Sequence, residues 1–124
     1  MYCAESEVIM RPLRPEEIRV IRRLLHGKAE ADGILSSLAS CLVQEMPDGG
    51  MGSLEFYSDP EHTDGRRYGR TLATGEFIDK DGVLVSLALY LDSDDRLYQL
   101  DSWKVDFSPL LAWADPNEIT TEKG

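Results

Sequence analysis

An α+β domain, two N-terminal helices packed on an antiparallel meander of about five strands, is predicted by three features of this 124-residue sequence. Apolar residues recur at helical spacing up to about Leu42 and at alternating positions after it. Clusters of Gly, Pro and Asp separate the alternating runs, as turns between strands require. The hydrophobic fraction of 42% is that of a globular chain, and the length suffices for one core without disulfide staples. The expectation is a single domain over residues 1–124, with an ordered core from about 11 to 113.

The opening Met1-Tyr2-Cys3-Ala4-Glu5-Ser6-Glu7 is acidic and leads into no long apolar run, so it does not read as a signal peptide. Leu13-Arg14-Pro15-Glu16-Glu17-Ile18 reads as a helix start. Proline suits the first turn, and carboxylates there oppose the positive helix end. Gly27 is a natural stop. Ile18, Ile21, Leu24 and Leu25 then form one apolar face, with Arg19, Arg22, Arg23 and His26 largely on the other as a solvated basic face. A second helix is expected from Ala29 to about Ser40, starting near Gly33 if that glycine breaks the first turn.

Leu42–Met46 and Ser53–Tyr57 read as a hairpin joined through Pro47-Asp48-Gly49-Gly50-Met51-Gly52. This connection lacks the Lys and Ser/Thr of a phosphate loop and precedes no helix, so a turn is the plainer reading. Ser58–Gly69 reads as a surface loop in which His62 and Asp64 form too sparse a set for a metal site. Arg70–Asp79 and Val83–Asp92 make the clearest hairpin. A Lys80-Asp81-Gly82 turn with Gly82 at positive φ would pair Phe77 with Val85, Gly75 with Leu87 and Ala73 with Leu89.

The stretch from Arg96 to Leu110 concentrates both aromatics and charges, and its alternation changes phase. Tyr98 and Leu100 occupy even positions, whereas Trp103, Val105 and Phe107 occupy odd ones. A β-bulge near Asp101 and Ser102 would bring both groups to one face and re-aim Asp101 as a specially placed carboxylate. A strand buried on both faces, or a strand end at Ser102, would also fit. With the bulge, Leu91 pairs with Arg96, Leu89 with Tyr98, Leu87 with Leu100 and Val85 with Trp103. Trp103 then reads either as core, with Lys104 between Asp101 and Asp106 a surface ion pair, or as an aromatic anchor for a partner beside those charges, core being the commoner role. Pro109 ends the strand, Leu110 to Trp113 fold back as a cap, and the segment from Asp115 frays.

Charge divides unevenly along the chain. Residues 1–40 hold six basic and six acidic residues, so the net charge of −10 lies in residues 41–124, with seven basic and seventeen acidic. That excess repels phosphate backbones and argues against nucleic acid as a partner, while it suits a basic protein. Only two cysteines, Cys3 and Cys41, are present, which fits a reducing cytoplasm, and no apolar run is long enough for a bilayer.

Asp48-Gly49-Gly50-Met51-Gly52-Ser53, Asp81-Gly82-Val83-Leu84-Val85-Ser86 and the run from Leu97 to Leu110 resemble a family of small bacterial proteins classed as a domain of unknown function. Arg11-Pro12-Leu13 resembles it as well, and the likeness spans roughly residues 11–110. The resemblance implies no catalytic assignment, and Ser102 stands where an aliphatic residue would be expected. Small acidic α+β proteins of this type also include immunity proteins that neutralise toxins, a likeness of type and size.

Two functions follow, in order. The first is a non-enzymatic protein-binding module, such as an immunity-type inhibitor of a basic toxin or effector, using Asp48, Asp101, Trp103, Lys104 and Asp106. The second is a small-ligand protein or acid–base enzyme, with its pocket between the Asp101 bulge and the Asp48–Ser53 loop. No nucleophile, metal set or cofactor motif is specified: Ser53 and Cys41 lack an evident His partner. A deep polar pocket joining the loop to Asp101 would favour the second function, and a flat acidic face the first.

Overall fold

The computed structural model describes residues 10–57 and 66–121. The readings made on Cys3, His62, Asp64 and the N-terminal heptapeptide lie outside them. The order of elements is β1 (Arg11–Pro12), α1 (Pro15–Leu25), α2 (Ala31–Ser37) with a 3-10 turn (Leu38–Ser40), β2 (Leu42–Glu45), β3 (Leu54–Tyr57), β4 (Tyr68–Ile78), β5 (Leu84–Asp92), β6 (Leu97–Lys104), a 3-10 turn (Pro116–Glu118) and β7 (Thr120–Thr121).

Helix α1 begins where the sequence places it. Glu17 reaches back to accept the Arg14 N–H at 2.8 Å and is gripped by both terminal nitrogens of Arg11 at 2.9 and 2.8 Å. Val20, Ile21, Leu24 and Leu25 are buried against the sheet. Each contributes about 1.5–3 kcal/mol by leaving water, so the packed face rather than intrinsic propensity holds this helix. In α2 the helical hydrogen bonds start before Gly33, which lies inside the helix rather than at its start.

The strand count is a correction. Among the described residues the sheet has seven antiparallel strands in the order β1-β2-β3-β6-β5-β4-β7, against about five in a meander. Both additions are two residues long, too short for any alternation to show. The segment from Asp115, expected to fray, carries β7, and Ile119 before it is buried in the core. The β2–β3 and β4–β5 hairpins form as expected; Phe77 faces Val85, Gly75 faces Leu87, Ala73 faces Leu89, and Gly82 has φ +83°.

The expected bulge at Asp101–Ser102 is not there. From Gln99 to Lys104 the pairing with β5 is regular: Leu89 faces Leu100, Leu87 faces Ser102 and Val85 faces Lys104. The irregularity falls at Tyr98, between the pairs Tyr90–Gln99 and Leu91–Leu97. One extra residue there turns both Leu97 and Leu100 inward. The expected pairs of Leu91 with Arg96, Leu89 with Tyr98, Leu87 with Leu100 and Val85 with Trp103 are replaced accordingly. Downstream, Ser102 and Lys104 continue on the core face, and Trp103 points away from it with 43% of its surface exposed. The rule that aromatics go in and lysines stay out picked the wrong phase, because Lys104 finds two carboxylates, the buried Asp79 and the partly exposed Asp81.

Strand β3 meets β6 through two residue pairs, Leu54–Leu100 and Glu55–Gln99. Beyond them Arg66 enters the seam, donating to the carbonyls of Phe56 and Leu97 and to Asp92, with its guanidinium 5.4 and 4.8 Å from the ring centres of Tyr57 and Tyr98. An arginine thus replaces the missing ladder bonds. Both helices pack on one face of the sheet; among the described residues, no element covers most of the other face.

Candidate functional site

The uncovered face is built in cross-strand rows. Ile78 and Leu84 pair, and the Val105 N–H donates to Leu84 C=O at 3.0 Å, which aligns those three. Next come Glu76, Ser86 and Trp103, then Thr74, Ala88 and Asp101, then Thr71, Tyr90, Gln99 and Glu55. None of these residues is a Lys or Arg. Ile78, Trp103, Val105 and Phe107 are exposed, Phe107 the most at 65%. The Trp103 and Phe107 rings meet edge to face, with centres 4.8 Å apart.

Phe107 has a φ of +66°, in the left-handed region that a bulky side chain rarely adopts. Asp106 maintains this turn: its Oδ1 accepts from the Ser108 hydroxyl at 2.6 Å and the Ser108 N–H at 3.0 Å. The Ser108 hydroxyl and N–H hold the Asp106 carboxyl below the usual aspartate range. An exposed aromatic held in a costly backbone conformation is a feature that core packing does not explain.

Asp101 is partly exposed on the same face. Its Oδ1 lies 3.4 Å from the Ser53 hydroxyl, which also accepts the Ser102 N–H at 2.9 Å. The Asp48–Ser53 loop and Asp101 are therefore brought together, through Ser53. Burial first, and the Asp101 charge second, push the Tyr90 phenol above its ordinary value.

Asp48 itself faces elsewhere. Its two carboxylate oxygens accept the Met51 N–H at 3.1 Å and the Ser53 N–H at 3.0 Å, so it shapes the glycine-rich loop. A groove of about 580 Å³ runs between this loop, the start of α1 and Leu110–Trp113; Asp101 is not among the residues that line it. Gly52, at φ +102°, is required here, since a Cβ would stand 2.9 Å from the Trp113 ring.

Lys104, expected in a surface pair with Asp101 and Asp106, is instead fully buried. Its Nζ donates to Asp79 at 2.9 Å, to Asp81 at 2.7 Å and to Pro109 C=O at 3.0 Å, which satisfies all three ammonium protons. Asp79 also accepts from the N–H groups of Lys80, Leu111 and Ala112. Burial works to lower the Lys104 value, but Asp81 and Asp79 outweigh it and hold it above the ordinary lysine range. Burial likewise works to raise Asp79, and its N–H donors with Lys104 outweigh that and hold it low. This cluster fastens residues 109–112 to the β4–β5 turn. Asp79 read only as a strand end; the signal pointing to it was the inward phase of Ser102 and Lys104 when β6 is kept regular.

Of the five candidates, Asp101, Trp103 and Asp106 thus share the open face and its rim, while Asp48 and Lys104 serve the loop and the core. Glu76, Phe107, Ser86 and Ala88 were not among the candidates, because their meeting on one face with Trp103 and Asp101 depends on the β4–β5–β6 register. Among the described residues no three His, Cys, Asp or Glu side chains converge as a metal-ligand set, and no helix is long and apolar enough to cross a membrane.

The family described as domain of unknown function DUF6984 matches residues 10–114. The chain belongs to this family. The match takes in the whole sheet except β7, and with it every residue named above on the open face. No curated protein and no solved structure matches the chain. The description of DUF6984 names no activity.

Proposed function

We propose that this DUF6984 protein is a non-enzymatic binding module that docks a basic protein partner on its open sheet face, in the manner of an immunity-type inhibitor of a toxin or effector. One observation carries this reading. The Trp103–Phe107 pair stands exposed beside Ile78 and Val105, rimmed by Glu76, Asp101 and Asp106, which form no ion pair among the described residues. An aromatic centre with a charged rim is the anatomy of a protein-binding hot spot, and the carboxylates would steer a cationic partner. The net charge of −10 disfavours nucleic acid as that partner. We place the protein in the cytoplasm, a reading supported by the buried free thiol of Cys41.

A small-ligand or acid–base function would draw on the groove beside the glycine-rich loop. Against it, Asp101 lies outside that groove and both oxygens of Asp48 are occupied by backbone N–H groups. The test is affinity capture from lysate of the source cell by three folded proteins: native, Trp103→Ser with Phe107→Ser, and Asp101→Asn with Asp106→Asn. A basic protein retained by the native chain and lost from both variants is the expected result. Retention that neither variant weakens would dispose of the proposal.

A further inference from the structure

We infer that the open face recognises an arginine side chain of the partner, in the trough floored by Ser86 and Ala88. This deepens the binding reading above and rests on it. Strand β5 puts two small residues side by side on this face, while its neighbours put large or charged ones beside them: Trp103 and Asp101 on β6, Glu76 and Thr74 on β4. Adjacent strands are about 4.8 Å apart, so the two banks of the trough stand about 10 Å from each other. Tyr90 stands at one end, in edge-to-face contact with Tyr68; Leu84, between Ile78 and Val105, stands at the other.

A side chain entering this trough meets an indole and a carboxylate on one bank and a second carboxylate on the other. The guanidinium group suits those surroundings. It is planar, always charged and weakly hydrated, stacks on an indole and forks onto carboxylates, while its aliphatic stem covers Ala88. A lysine ammonium suits them less, because a shallow face offers few acceptors to replace its tightly held water. Phe107, packed edge to face with Trp103, limits the freedom of the indole. A second copy of the chain could offer Arg19 or Arg22, which are exposed or half-exposed on α1, but each copy carries −10 and the long-range repulsion opposes it.

The experiment is a titration of the isotope-labelled full chain, followed by NMR, with the blocked peptide Gly-Ser-Arg-Ser-Gly and separately with its lysine counterpart. The expected result is movement of the Trp103 indole N–H and of the Ser86, Ala88 and Asp101 amides. The arginine peptide should bind at least about threefold tighter than the lysine one, and binding should vanish in a folded Glu76→Gln, Asp101→Asn variant. Equal affinity for both peptides, shifts confined to α1 or the glycine-rich loop, or no shift at all would overturn the inference. So would a concentration-dependent dimer in sedimentation that Trp103→Ser abolishes. If the arginine peptide fails while capture of a basic protein still depends on Trp103 and Phe107, the arginine inference falls and the binding reading stands; if both fail, both fall.

Discussion

Lys104 and Phe107 lie three residues apart and show opposite uses of an unusual side-chain placement. Lys104 is a charge in the core, tolerated because every proton has an acceptor. Replacing Asp79 by Ala removes one of those acceptors and the anchor of Leu111 and Ala112 together, with an expected loss of about 3 kcal/mol or more, read from urea denaturation. Asp79 also predicts a pH dependence. Its folded value is depressed, so its contribution is present above the ordinary aspartate range and disappears as pH falls through the folded value. The native chain should lose stability steadily through that acid window, and Asp79→Asn should lose less; parallel curves would contradict this. Lys104, raised on folding, has its contribution in full below the ordinary lysine range and loses it as pH rises through the folded value. Phe107 is the converse case, strained and exposed. Phe107→Gly relieves a left-handed conformation at a small entropic cost and should raise stability by up to about 1 kcal/mol. The same change should weaken partner binding, and a stability loss instead would show that the ring is structural.

At the level of elements, the joint between β3 and β6 in the middle of the sheet is a narrow one. Two residue pairs, one arginine and the Ser53 hydroxyl bonded to the Ser102 backbone hold it. Arg66→Met keeps much of the side-chain bulk between Tyr57 and Tyr98 but leaves the carbonyls of Phe56 and Leu97 without their donor. The expected cost is about 2–4 kcal/mol, measurable by denaturation, and a neutral outcome would mean that water substitutes there. Arg66 also shows where reading the sequence stops. In a run with Asp64-Gly65 and Arg67 it looked like ordinary loop charge, since nothing local reveals that two distant carbonyls await it. The bulge was misplaced for a related reason. The phase changes between Leu97 and Leu100, not between Leu100 and Trp103 as expected; Trp103 drew the assignment toward Asp101 because burying an indole is usually favoured over burying an ammonium. Alternation along β5 was unambiguous, and from Ala73 to Phe77 the register of β4 against it was legible to the residue pair, whereas the two irregularities of β4 before Ala73 were not.

For the molecule as a whole, the α+β class, both helices and two hairpins followed from periodicity and turn chemistry, which are local. Strand order did not. It depends on β3 finding β6 across the intervening hairpin, and on two-residue edge strands that carry no pattern. The open face was legible in composition, as aromatics among carboxylates, yet not in arrangement, since its rows combine three strands. The narrow β3–β6 seam has a further consequence, for how the protein breathes. Strands β1, β2 and β3 form a small leaf joined to the rest of the sheet along a short margin, so this leaf should detach as a unit before the molecule unfolds globally. Amide hydrogen exchange would register this as two protection classes: Val43 and Phe56 exchanging through a cheaper opening, Leu87 and Leu89 only through complete unfolding. Uniform protection across all four would mean that the sheet opens as one. If two classes are found, a partner clasped on β4, β5 and β6 would slow exchange in the larger class and leave the smaller leaf as mobile as before.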